Sequence, residues 1–280
     1  MTDVMVLPAP GLPSGILRRR GKIQVKRRGQ DRLVRAFLLG FTAIAAWLFS
    51  QLQVDWWQLL SRVPNLVGTF GRLGQLSLER FDLTWAAFLE TVAIAVLSTV
   101  YSLIAGMFIA AFAARNLVRN RVTPLLITSL ATFARTLPTP VVVLLAMASF
   151  GLGPVPGIVG ITLSSTAFFV RAFAQGYEDV PAGTIEAFQG AGASRLQIFF
   201  CAVLPSTLSH IVAWTGLRFE MNFTGSAILG MVGAGGVGAV ITRSIQGHEF
   251  GVAGVAILLV FVFAYTVELT FTQIKKKYFS

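Results

Sequence analysis

The sequence contains one cysteine, Cys201, and two histidines, His210 and His248. A single thiol cannot close a disulfide within the chain, and this set offers too few ligands for a zinc or redox centre. Charge is scarce as well: Asp, Glu, Lys and Arg make up 12% of the residues against 55% hydrophobic, with 23 Phe and a mean hydropathy of +0.72. Such a composition excludes an ordinary soluble domain. No GxxxxGK[ST] phosphate loop occurs, so the chain binds no ATP in the P-loop manner. Neither a Ser/His or Cys/His arrangement nor clustered carboxylates support a membrane enzyme, and no cofactor is expected in this chain.

What is present is apolar length. Ala36 to Leu52, Trp85 to Ala114, Gly157 to Tyr177 and Gly251 to Thr270 each have the character needed to cross about 30 Å of hydrocarbon. Two further stretches are interrupted: 124–150 by Arg135, Pro138 and Pro140, and 208–232 by Arg218 and Glu220. The pattern predicts an all-α integral membrane protein with six transmembrane helices. Ala43-Ile44-Ala45 resembles a signal-peptidase site but lies inside the first apolar run, so that span is expected to be retained.

The net charge of +11 is unevenly spread, with nine of the 23 basic residues between Arg18 and Arg35. Arg115, Arg119, Arg121, Arg171, Arg195 and Lys275 to Lys277 fall on the same side by span counting. This asymmetry predicts a multi-pass protein of the cytoplasmic (inner) membrane with both termini in the cytoplasm. A nucleic-acid partner is excluded, because the basic residues are not interleaved with aromatics on a soluble surface. The expected organisation is a basic tail over 1–35, a first span with an external interfacial segment over 36–84, a main transmembrane domain over 85–275 and a short tail over 276–280. Trp56, Trp57, Leu59, Leu60 and the apolar residues after them predict an interfacial helix, either a headgroup belt or a substrate contact.

A polar, glycine-broken loop over 178–206 interrupts the apolar blocks on the cytoplasmic side. Asp179 and Pro181 predict a helix start, Gly190 and Gly192 a break, and Ser194 with Gln197 a capping box opening a second short helix. Leu196, Phe199, Phe200, Val203 and Leu204 share one face of that helix, and Pro205 is expected to end it. Such a segment fits either a docking surface or an amphipathic connector on the membrane.

Within the spans, Arg135 beside Pro138 should face protein or water. It suits an anionic substrate in a pathway or an anchor to headgroups near the cytoplasmic end. Arg218 and Glu220 point about 200 degrees apart on a helix, so each needs a partner elsewhere, in a pathway or in a salt bridge between spans. The run Gly230 to Gly238 contains GxGxxG formally, but links two membrane spans instead of opening a βαβ unit. Gly233, Gly235, Gly236 and Gly238 suit irregular chain at a cavity or gate on the external side.

Glu186-Ala187, Gly192 and Leu204-Pro205, with Phe188 and Ala202 as departures, resemble the EAA loop of ABC-importer permeases. Together with Arg135-Thr136-Leu137-Pro138, Leu217-Arg218-Phe219-Glu220, Asn222 and the glycine run, they resemble the phosphonate-type (PhnE) permeases over about residues 85 to 275. The resemblance implies a type I ABC importer (MetI-like) permease fold that works as a homodimer. Its partners would be two ABC ATPase subunits that bind ATP and Mg, and an extracytoplasmic substrate-binding protein. It further implies ATPase coupling through Glu186, Ala187, Gly192, Leu204 and Pro205, and a translocation path for phosphonate or a related oxyanion such as phosphate along Arg135, Arg218, Glu220 and Asn222. A methionine-type permease remains an alternative, as does an ion-coupled secondary transporter titrating Glu220.

Overall fold

The computed structural model describes residues 18–19, 22–23, 30–52 and 55–279. Apart from two short strands, β1 (Arg18–Arg19) and β2 (Lys22–Ile23), which pair antiparallel with Arg18 opposite Ile23, every regular element among the described residues is helical. Contacts divide the chain into residues 1–64 and 65–280. The first unit holds α1 (Gln30–Gln51), whose apolar side chains all stand exposed, as a lone span facing lipid requires. Most of the expected 1–35 tail lies outside the described residues. Helix α2 (Trp56–Leu73) starts at Asp55, whose Oδ1 accepts from the Trp57 and Gln58 amides at 3.2 Å, and it buries no side chain.

The second unit is built on α3 (Phe81–Ala113) and α6 (Pro154–Glu178). In lipid, apolar surface gives helices no reason to associate, so small and hydroxylic residues set the contact. The buried stripe of α3 follows that rule, with Thr91, Ala95, Ser98, Thr99, Ser102, Gly106 and Ala110 at helical spacing. Its hydroxyls bond backward along the helix, Thr99 to the Ala95 carbonyl at 2.7 Å and Ser102 to that of Ser98 at 2.6 Å.

The third expected span is broken. Helices α4 (Val122–Thr136) and α5 (Thr139–Phe150) meet at 85° across Leu137-Pro138. Leu137, the residue before a proline, is pushed out of helical geometry to ψ 121°. At 15 and 12 residues the halves reach only about 22 and 18 Å, so neither crosses a bilayer alone.

In the 178–206 loop, α7 (Ala182–Gly190) and α8 (Arg195–Ile198) form the expected pair of short helices. Two details differ. Asp179 caps the C-terminus of α6 and leaves the start of α7 to Pro181. Pro205 ends nothing: a wide π-type turn over Phe199–Val203 joins α8 to α9 (Leu204–Leu229), absorbing the proline in its first turn. The same turn splits the anticipated apolar face, burying Phe199 and Val203 but leaving Leu196 and Phe200 exposed.

After a second π-type turn at Gly230–Ala234, the short α10 (Gly236–Gln246) precedes the last helix, α11 (Phe250–Phe279). Helix α11 runs on through 276–279, most of the segment expected as a short tail. The glycine run does not join two spans at the external surface. It contacts α3 at Glu90, nine residues or about 14 Å in from that helix's start, and α10 returns from there toward an Arg80–Glu249 ion pair of 3.0 Å. Arg80 and Glu249 mark one end of the unit, where the Ser77 amide also bonds the Gly251 carbonyl. At the opposite end the Arg115 amide donates to Glu178 Oε1 at 2.9 Å, and Asn116 Nδ2 to the Tyr177 carbonyl at 2.7 Å, beside the 178–206 loop.

Candidate functional site

The loop is fastened to the bundle from within. Ile185, Ile198, Phe199, Ala202 and Val203 are buried in the same apolar cluster as Ala110, Phe169, Phe173 and Tyr177. Tyr177 meets Phe199 edge to face at 5.5 Å, and its hydroxyl donates to the Met107 carbonyl at 3.3 Å. Gly192, at φ +81°, closes α7 as a Schellman motif: its amide donates to the Gln189 carbonyl and that of Ala193 to the Phe188 carbonyl, both at 3.0 Å. The Ser194–Gln197 capping box is complete, with bonds of 2.7 and 3.4 Å. Glu186, Ala187, Gly192 and Pro205 are exposed and Leu204 is half-buried. A cleft of about 230 Å³ separates the loop from the α3–α4 turn, lined by Arg119, Gln189 and Arg195 among others.

The path candidates fall into three places. Arg218 and Asn222, four apart and on one face of α9, join a continuous relay. Arg218 Nε donates to Ser165 Oγ at 2.9 Å, Ser165 to Asn222 Oδ1 at 2.8 Å, and Asn222 Nδ2 to Thr99 Oγ1 at 2.9 Å. Thr99 completes it by donating to the Ala95 carbonyl, so the relay ties three helices together. Arg218 and Asn222 line a cavity of about 300 Å³ with Thr139, Pro140, Ser164 and Met221, at the break between α4 and α5. Arg135 shares with Arg218 the ring of Phe168, at 5.9 and 5.1 Å, but opens into another cavity of about 480 Å³. Glu220 lies apart from all of these, with Glu268 in a pocket between α9 and α11, and has no ion-pair or hydrogen-bond partner among the described residues.

The glycine run is held by residues that sequence reasoning missed. Gly233, Gly235 and Gly236 have φ of +112°, +79° and +72°. Gly238 is required for another reason, since a Cβ there would strike the Ala227 carbonyl oxygen. Glu90 Oε2 accepts from the Gly236 amide at 2.9 Å and Thr91 Oγ1 from that of Val237 at 2.8 Å, capping α10 from α3. The Gly233 carbonyl in turn accepts from the Gly153 amide at 3.2 Å. One signal pointed to Glu90: it is the only charged residue in Trp85 to Ala114. Ser165 and Thr99 carried none, being hydroxyls within apolar blocks.

A family model described as "Binding-protein-dependent transport system inner membrane component" matches residues 106–279. The chain is 30% identical to the phosphate-import permease protein PhnE of Mycolicibacterium smegmatis over 85% of its own length, and spans 45% of that longer relative. It is 27% identical to the phosphite transport system permease protein PtxC of Stutzerimonas stutzeri, over 99% of this chain and 98% of that one. Among solved structures, it is similar to a chain of the inward-facing MetNI methionine ABC transporter, with a TM-score of 0.66 and 20% identity over 72% of this chain and 99% of that one. That likeness shows the fold, the MetI-like fold of type I importers.

Proposed function

This chain belongs to the binding-protein-dependent transport system inner membrane components, and on that premise we propose that it is the permease subunit of an ATP-driven importer for a phosphorus oxyanion: phosphonate, phosphite or phosphate. Relatives named for phosphate and phosphite import support the substrate class. The observation that carries it in this chain is the relay ending at Arg218. Ser165 takes Nε, the two terminal nitrogens have no hydrogen-bond partner among the described residues, and Arg218 lines a cavity, so the fork that matches an oxyanion is open there. Since Asn222 and Ser165 already fix the side chain, little order is lost when an anion binds.

Two copies of the chain would form the path, with two ATPase subunits on the 178–206 loops and a binding protein delivering substrate at the opposite end. Glu186 and Ala187 present the outer face of α7, and the apolar cluster beneath makes that face move as one body with α6 and α9. Closure of the ATPase dimer would thereby reach the cavity at Arg218. The recessed turn at Gly233, Gly235, Gly236 and Gly238 is assigned as the external gate.

The test is uptake of labelled phosphate and phosphite into proteoliposomes holding the permease with its ATPase subunits and binding protein. Arg218→Ala is expected to lower uptake tenfold or more, about 1.4 kcal/mol or above, with Arg218→Lys in between because it keeps charge but not the fork. Equal uptake by all three would overturn the role of Arg218, and uptake of neither anion by the complete wild-type complex would overturn the substrate class.

A further inference from the structure

We propose that the cavity between α4 and α6 on the loop side is a second oxyanion site, in which Arg135 and Arg171 hold a phosphate group. Its place in transport rests on the importer reading above, but its chemistry does not. The cavity, of about 480 Å³, is lined by three arginines, Arg115, Arg135 and Arg171, with Thr128 and Gln175 as further polar groups. Its one acid, Glu178, already accepts from the Arg115 amide at 2.9 Å. Arg171 donates to the Thr132 hydroxyl at 3.4 Å, and Arg135 lies over the face of Phe168 with no hydrogen bond among the described residues. Among the described residues neither guanidinium has a carboxylate within 4.0 Å. Both side chains are exposed and line the one cavity, so a phosphate group entering it is offered two guanidinium forks at once.

The position gives the site a role. Arg218 of the first cavity and Arg135 of the second lie over the same Phe168 ring, so an anion leaving the first meets the next guanidinium within a short step. Glu178 and Arg115, which close the second cavity, sit where α6 runs into the 178–206 loop. An anion held there resides at the release end, next to the segment assigned to the ATPase. Phosphate accumulating on that side would refill the site and slow release. The phosphate group could equally belong to an anionic lipid headgroup, which offers the same oxygens to the same fork.

Trp214 lines the cavity and serves as the reporter. The permease with its ATPase subunits is placed in phosphatidylcholine nanodiscs without nucleotide, and inorganic phosphate is titrated against tryptophan emission. A saturable change is expected that Trp214→Phe abolishes and that requires about tenfold more phosphate in Arg171→Gln, as loss of a charge-assisted contact demands. Arg171→Lys, which keeps the charge, should fall between, and melting curves on each variant confirm folding. If discs containing phosphatidylglycerol show the shifted emission before phosphate is added and then titrate flat, a lipid headgroup fills the same site and the proposal stands with that source. A flat titration in both lipids, or an Arg171→Gln curve that overlays wild type, overturns it. Oxyanion uptake alongside a flat titration would sink this site and leave the importer reading intact, while a phosphate response in a complex that imports no oxyanion would do the reverse.

Discussion

Asn222 is 2% exposed and both accepts from Ser165 and donates to Thr99, so its one side chain links α9 to both α6 and α3. Replacing it with Leu keeps the branched outline with a bulkier apolar tip and takes a partner from two buried hydroxyls, of which Thr99 still has the Ala95 carbonyl. The expected cost is about 1–3 kcal/mol, read as a lower melting temperature in detergent, together with lost uptake as Arg218 is freed. Unchanged melting would show that the relay does not tie the helices. Gly192 is a different case: nothing lies within 4 Å of an added Cβ, so only its φ of +81° and its outward face constrain it. Asn tolerates that conformation and Asp adds charge to the docking face. Gly192→Asn should keep most uptake and Gly192→Asp lose it, both with the membrane fold intact. Equal loss in the two would assign the requirement to backbone strain alone.

At the level of elements, hydropathy made α1, α3, α6, α9 and α11 legible, because bilayer thickness fixes a length that composition reveals. The capping box at Ser194 and the break at Gly192 were legible because short-range hydrogen bonds decide them. Direction was not. A window of apolar residues reads the same whether the chain runs straight, turns 85° at Leu137-Pro138, or doubles back as α10. The doubling back of α10 depends on partners far away in sequence, with Glu90 capping Gly236 across 146 positions, whereas the bend at Leu137 is local to Pro138. Arg218 and Asn222 were readable as one helix face, whereas their link through Ser165 was not, since hydroxyls in apolar blocks have no periodic signature. The short helix α8, four residues long, depends on its cap. Ser194→Ala should cost about 1 kcal/mol there, too little to unfold the bundle but enough to slacken the loop. The measurement is solute imported per ATP hydrolysed, expected to fall while hydrolysis continues; an unaltered ratio would show that α8 transmits nothing.

For the molecule as a whole, the reading depends on which way the bundle faces. The loop end carries Arg115, Arg119, Arg121 and Arg195, whereas at the other end Arg80 is paired with Glu249 and accompanied by Glu79 and Asp82. Positive charge is retained on the cytoplasmic side of a bilayer, so the loop should meet the cytosol. The chain supplies its own probe. Cys201 is its sole cysteine and is exposed at the turn between α8 and α9. A membrane-impermeant maleimide should therefore label it in inverted membrane vesicles and leave it untouched in right-side-out ones. Added ATPase subunits should slow that labelling, because Cys201 lies within the 178–206 loop assigned to them. Labelling only from the outer face would put the loop out of reach of any ATP-hydrolysing partner, and the importer mechanism would fail with it. Labelling from the inner face that docked subunits do not slow would keep the orientation and confine the docking surface to the α7 face at Glu186 and Ala187, on the far side of Gly192.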